Sequence, residues 1–100
     1  MNIPEKVRIG SCVYDVEFTE NDLVAGGKEV YANIDYNFNK ININTRIAGK
    51  QQNELSFLHE IFHGIVRERN IELDDEELIV EELARGMHQI IKDNPEIFKA

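Results

Sequence analysis

The hydrophobic pattern of this chain changes its period once, close to residue 50, and that change constrains the fold more than any other feature. Before it, apolar and polar residues alternate, as in half-buried strands. After it, apolar residues recur every three or four positions, as in amphipathic helices. In the first half Val7-Arg8-Ile9 reads as a short strand and Gly10-Ser11 as a turn. Cys12, Tyr14, Val16 and Phe18 then alternate with Val13, Asp15 and Glu17. Gly26-Gly27 marks a loop. Val30, Ala32, Ile34 and Tyr36 form another alternating run, Asn37-Phe38-Asn39 a turn, and Ile41 and Ile43 one face of a last short strand. In the second half Leu55, Leu58, Ile61, Phe62, Ile65 and Val66 predict a helix over residues 51–69, stopped by Asn70. Asp74 is expected to cap a second helix whose stripe is Ile79, Val80, Leu83, Met87, Ile90 and Ile91. That helix should end at Asp93-Asn94-Pro95, with Asn94 in a left-handed C-cap. The expectation is a single α+β domain over residues 1–100, a small, mainly antiparallel sheet of three or four strands followed by two helices packed on one sheet face.

Charge narrows the range of partners. Eleven basic against 19 acidic residues leave a net charge of −8. Such a surface repels phosphate backbones and acidic lipid, so neither nucleic acid nor a membrane is expected as partner. No apolar run reaches transmembrane length, and Met1 to Lys6 lacks the basic and apolar segments of a signal peptide. The single cysteine, Cys12, permits no internal disulfide. A cytoplasmic location is expected, with Cys12 a small buried hydrophobe.

The chemistry is concentrated in His59-Glu60-Ile61-Phe62-His63, a His-Glu-x-x-His sequence inside the first predicted helix. Residues four apart are neighbours on a helix face, so both imidazoles can bind one metal ion. Glu60, about 100° further round, can reach a water at the ion without ligating it. Zn²⁺ held by two histidines and one more side chain keeps a position open for that water and lowers its pKa. Glu60 then serves as general base.

A third ligand is required, and a carboxylate at the start of the second helix is the better candidate than His88, which reads as a solvated helix histidine. With Leu83 at 0° and about 100° per residue, the predicted stripe runs from about −40° at Ile79 to about 100° at Ala84. Glu76 falls near 20°, inside it, and Glu77 near 120°, at its edge. Glu81 and Glu82 fall outside and, with Asp75, read as a solvated face. Glu77 and Glu76 both stand as ligand candidates on this geometry.

A sheet, a His-Glu-x-x-His helix and a second helix with a glutamate resemble the minimal zincin metallopeptidase domain. The nearest resemblance is to the ImmA/IrrE-type metallopeptidases and the short metallopeptidase-like proteins of phages and mobile elements. In the ImmA/IrrE type the second helix often carries Glu-x-x-Ala-Asn-x-Phe-Ala. Glu77-Leu78-Ile79-Val80-Glu81-Glu82-Leu83-Ala84 falls in that frame, with Val80, Glu81 and Leu83 replacing Ala, Asn and Phe. The resemblance covers about residues 30–95 and implies that His59, His63 and Glu77 hold Zn²⁺. Because members of that family cleave repressor proteins, it also implies a protein or peptide substrate. No oxyanion-stabilising residue stands out. Tyr31, Tyr36, Arg85 and His88 are expected to be structural or solvated. Substrate is expected along an exposed strand edge within Glu29–Tyr36. The expected function is therefore a zinc-dependent peptidase acting on a cytoplasmic protein, with a zinc-stabilised protein-binding module as the alternative.

Overall fold

The computed structural model describes residues 1–99. Strands β1 (Lys6–Ile9), β2 (Cys12–Thr19), β3 (Val24–Ala25), β4 (Lys28–Glu29), β5 (Ala32–Asp35) and β6 (Lys40–Asn44) precede helices α1 (Lys50–Glu68) and α2 (Glu76–Asp93). Four strands form one sheet in the order β1-β2-β6-β5. β1 pairs antiparallel with β2 and β5 antiparallel with β6, while β2 and β6 run parallel, with Val16 opposite Ile41. The sheet is thus mainly antiparallel, as the alternating runs suggest, and β5 lies at an edge.

Turn chemistry sets these registers. Gly10, at φ 61°, closes the hairpin in which Ile9 faces Cys12. Between β5 and β6 the Asp35 carboxylate accepts the backbone N–H of Asn37 at 2.9 Å and of Phe38 at 3.1 Å, and Asn39 takes a left-handed φ of 54°. The alternating run from Val30 to Tyr36 is longer than the strand it forms. Its ladder covers Ala32–Asp35 alone, because Val30 donates its N–H to Leu23 at the base of a separate β3–β4 hairpin.

The core lies between the sheet and α1. Ile9, Tyr14, Val16, Ile41 and Ile43 point from the strands onto Phe57 of the helix. Cys12 and Phe18, expected on the buried face, are exposed. They share the parity of Tyr14 and Val16, but they stand at the two ends of β2. α1 approaches closely at Gly64, where a Cβ would lie 2.8 Å from Ile9 Cδ1 and 3.3 Å from Ile34 Cδ1. Glycine in a helix interior costs about 0.5–1 kcal/mol relative to alanine; here it removes the side chain that would hold helix and sheet apart.

Asn70, at φ 54°, follows α1 as the expected stop. The cap of α2 is Asp75, whose side chain accepts the Leu78 N–H at 3.2 Å, one residue beyond the expected Asp74. Asn94 is not left-handed either. At φ −136° it returns both its backbone and its side-chain N–H to the Ile90 carbonyl, and Pro95 begins a short 3₁₀ turn. The helices are antiparallel: His63 meets Glu76, His59 meets Glu81 and Glu54 meets His88. The face of α2 turned to α1 is centred on Val80 and Ala84, both fully buried, while Leu83 is half exposed. Relative to the predicted stripe the buried side is rotated by roughly 50–80°. Small side chains at the crossing allow close approach, and the polar pairs with α1 all lie on that side. Among the described residues no helix is long and apolar enough to cross a membrane.

Candidate metal centre

α1 places His59 and His63 one turn apart with ring centroids 4.7 Å from one another. Their Nε2 atoms face each other at 3.1 Å. The carboxylate of Glu77, on the first turn of α2, spans both. Its Oε1 is 2.8 Å from His59 Nε2 and its Oε2 2.9 Å from His63 Nε2. His59, His63 and Glu77 thus bring three possible ligand atoms within 4.8 Å of one another.

The opposite ring nitrogens are taken by other carboxylates. Glu76 Oε2 lies 2.6 Å from His63 Nδ1, and Glu81 Oε2 lies 3.3 Å from His59 Nδ1. This geometry separates the two ligand candidates: Glu77 faces the shared Nε2 side, and Glu76 faces the far side of the His63 ring. It also corrects the reading of Glu81 as a solvated charge. Glu81 is one turn on from Glu77 on the rotated buried face, and a stripe centred on Leu83 hides that relationship.

The donor set fits a metal ion. A proton on each Nδ1, directed at Glu76 or Glu81, leaves both Nε2 lone pairs pointing at each other and at the Glu77 carboxylate. In that tautomer a cation between the three acceptors would relieve their mutual repulsion. Their separations of 2.8–3.1 Å approach the roughly 3.3 Å edges of a tetrahedron with ~2.0–2.1 Å bonds to zinc. Two imidazoles and a carboxylate are a ligand set that zinc accepts, and carboxylates behind ligating histidines orient such rings.

Glu60 is buried, 7% exposed, and lines the same cleft. Burial pushes its carboxyl up to about 7; His63 opposes that shift, and Glu77 and Glu81 add to it. At His63 burial lowers the pKa, but the hydrogen bond to Glu76 and the charges of Glu60, Glu77 and Glu76 outweigh it and raise it. The cleft, about 530 Å³, runs between α1 and the stretch from Glu29 to Ile34, with Tyr31 and Leu55 among its walls. Arg46 pairs with both Asp22 and Glu29, and Asn44 reaches Glu29, which anchors the β3–β4 hairpin at the cleft rim.

The other polar candidates separate by position. Tyr31 lines the cleft. Arg67 Cζ lies over the Tyr36 ring, 4.1 Å from the ring centroid, and Arg85 pairs with Glu81. His88 is not a solvated histidine: its Nε2 lies 2.9 Å from Oε1 of the buried Glu54, across the helix pair and away from His59 and His63. No family model, curated protein or solved structure matches the chain.

Proposed function

We propose that this chain is a zinc-dependent peptidase acting on an extended segment of a protein. The observation that carries the reading is the convergence of His59 Nε2, His63 Nε2 and the Glu77 carboxylate, with the outer nitrogens tied to Glu76 and Glu81. His59, His63 and Glu77 would hold the ion. Bound zinc supplies Lewis acidity that eases deprotonation of a water and polarises a carbonyl. Glu60 is the general base. Its carboxyl, buried beside the three ligands and lining the same cleft, would take a proton from the water and return it to the leaving amine. Glu76 and Glu81 hold the rings in the tautomer that offers Nε2. Among the described residues the outer edge of β5 has no strand partner and borders the cleft, so its backbone can align an extended segment by strand addition.

A binding module without catalysis needs the three ligands but has no use for a buried carboxylate beside them. Glu60→Gln separates the two, since glutamine keeps the shape and cannot accept a proton. Zinc-loaded wild type and variant are incubated with a mixture of unfolded cytoplasmic proteins, and new N-termini are counted by mass spectrometry. The wild type is expected to generate defined new termini. The variant, with equal zinc content and melting temperature, should do so at least ~100-fold more slowly. Equal yields of termini from both proteins, or none from either, would overturn the peptidase reading.

A further inference from the structure

The side of α2 turned away from Glu77 and Glu81 carries an apolar stripe that, among the described residues, stays exposed to solvent. Ile79, Leu83 and Ile90 are 38%, 51% and 39% exposed. Gly86, between Leu83 and Ile90, has open space where a Cβ would stand. Steps of four, three and four residues make this a helix-pairing seam, with Leu83 as knob and Gly86 as hole.

The border of the stripe carries one sign of charge. By helical geometry Asp75, Glu82 and Asp93 lie along one side of it, with Gln89 in the same row, while Arg85 and Lys92 fall on the far side of the helix. Asp75 caps the helix by accepting the Leu78 N–H and Asp93 accepts from Gln89 Nε2 at 2.8 Å, yet none of the three acids is neutralised by an ion pair among the described residues, and Arg85 is engaged by Glu81. Asp75 and Glu82 are seven residues apart, so the rim repeats along the direction in which a docked helix would lie.

We propose that this stripe docks an amphipathic helix of a partner protein whose apolar face is flanked by Lys or Arg at about seven-residue spacing. Basic flanks would meet Asp75, Glu82 and Asp93 while apolar side chains cover Ile79 and Ile90 and enter the gap at Gly86. The net charge of −8 steers such a partner toward the protein. A second copy of this chain is a poorer occupant. In antiparallel pairing it sets Glu76 against Asp93, and in parallel pairing it aligns Glu82 with itself. The stripe lies on the opposite side of α2 from Glu77 and Glu81, with Glu76 at its inner border, so docking there leaves the shared Nε2 side of the two histidines open. The proposal therefore stands independently of the peptidase reading.

The test uses two synthetic helical peptides with the same leucine face, one flanked by lysines and the other by glutamates. Binding to the zinc-loaded protein is measured by fluorescence anisotropy, and amide shifts are mapped by NMR. The lysine peptide is expected to bind at least tenfold more tightly than the glutamate peptide and to shift amides between Ile79 and Ile90. Leu83→Asp should weaken it at least tenfold; Leu83 is half exposed, so the variant should keep its melting temperature. Glu82→Lys with Asp93→Lys should reverse the preference between the peptides. Equal binding of both peptides, or lysine-peptide binding that survives Leu83→Asp, would overturn the proposal. So would shifts confined to the cleft, or a concentration-dependent dimer that maps to the same stripe.

Discussion

A carboxylate oxygen of Glu76 sits 2.6 Å from Nδ1 of His63, on the side of the ring away from the other histidine. Two consecutive glutamates therefore grip one imidazole from opposite edges, because Glu77 reaches its Nε2. The helical step of about 100° between neighbours carries one carboxylate to each side.

That arrangement orders the effects of removing each acid. Glu77→Ala takes away a proposed ligand and should abolish stoichiometric zinc retention. Glu76→Ala and Glu81→Ala leave the ligands in place but free the rings, and each should cost about 10–100-fold in zinc affinity. Glu82→Ala should change nothing, since Glu82 is exposed and faces away from the centre. Competition against a zinc-sensitive dye reads all four. A Glu82 effect as large as that of Glu77 would contradict the assignment.

Zinc should also stabilise the fold, because its proposed ligands come from two helices that meet only in the native state. Protein purified with zinc is expected to hold about one ion per chain. At a free zinc concentration 100 times the dissociation constant the ion adds about 2.7 kcal/mol. For a domain of this size that corresponds to roughly 10–20 °C in melting temperature. A chelator titration followed by calorimetry measures it. A melting temperature indifferent to both zinc and chelator would count against the site.

The parts of this fold legible in the sequence are those set by short-range periodicity. The change near residue 50, the Gly10 and Asn37–Asn39 turns and the His59/His63 spacing all follow from contacts within a few residues. The rotation of α2 does not. Ile79, Leu83 and Ile90 look like core by spacing, yet the helix buries Val80 and Ala84, because small side chains and the polar partners on α1 decide the contact. The roles of Glu81 and His88 were hidden for the same reason, each depending on a residue more than twenty positions away. Glu77 and Glu76 could be separated only once the helix phase was known.

Tyr36 makes stability sensitive to alkaline pH. Burial, followed by the neighbouring Tyr14, pushes its phenol from the ordinary 10.0 up to about 12, with Arg67 opposing. The folded state therefore favours the neutral phenol. That contribution is complete below pH ~10 and is lost as pH rises toward about 12. Urea unfolding across this window should give a falling midpoint for the wild type and a smaller fall for Tyr36→Phe. Identical slopes for the two proteins would show that the phenol is not coupled to folding.

The pair between His88 and Glu54 offers the strictest check on how the helices meet. Glu54 is 7% exposed, and His88 is its partner from α2 at 2.9 Å. The Met1 amino group, 3.8 Å from the Glu54 carboxylate and itself mostly buried, compensates part of the charge, while Lys50, at 4.0 Å, is largely exposed and compensates little. His88→Leu leaves this buried carboxylate with the Met1 amino group as its nearest cation and should destabilise the domain by about 1–3 kcal/mol. Glu54→Leu alone removes the charge but leaves the imidazole without its acceptor. Changing both residues to leucine removes the unpaired group that each single variant leaves at this contact, so the double variant should be more stable than the sum of the single effects implies. Urea denaturation of the four proteins closes the double-mutant cycle, with an expected coupling of about 1–3 kcal/mol. Additive effects would mean that the two helices do not meet at this pair. Since the same antiparallel register brings Glu76, Glu77 and Glu81 to the histidines, additivity would also remove the structural basis for the metal centre.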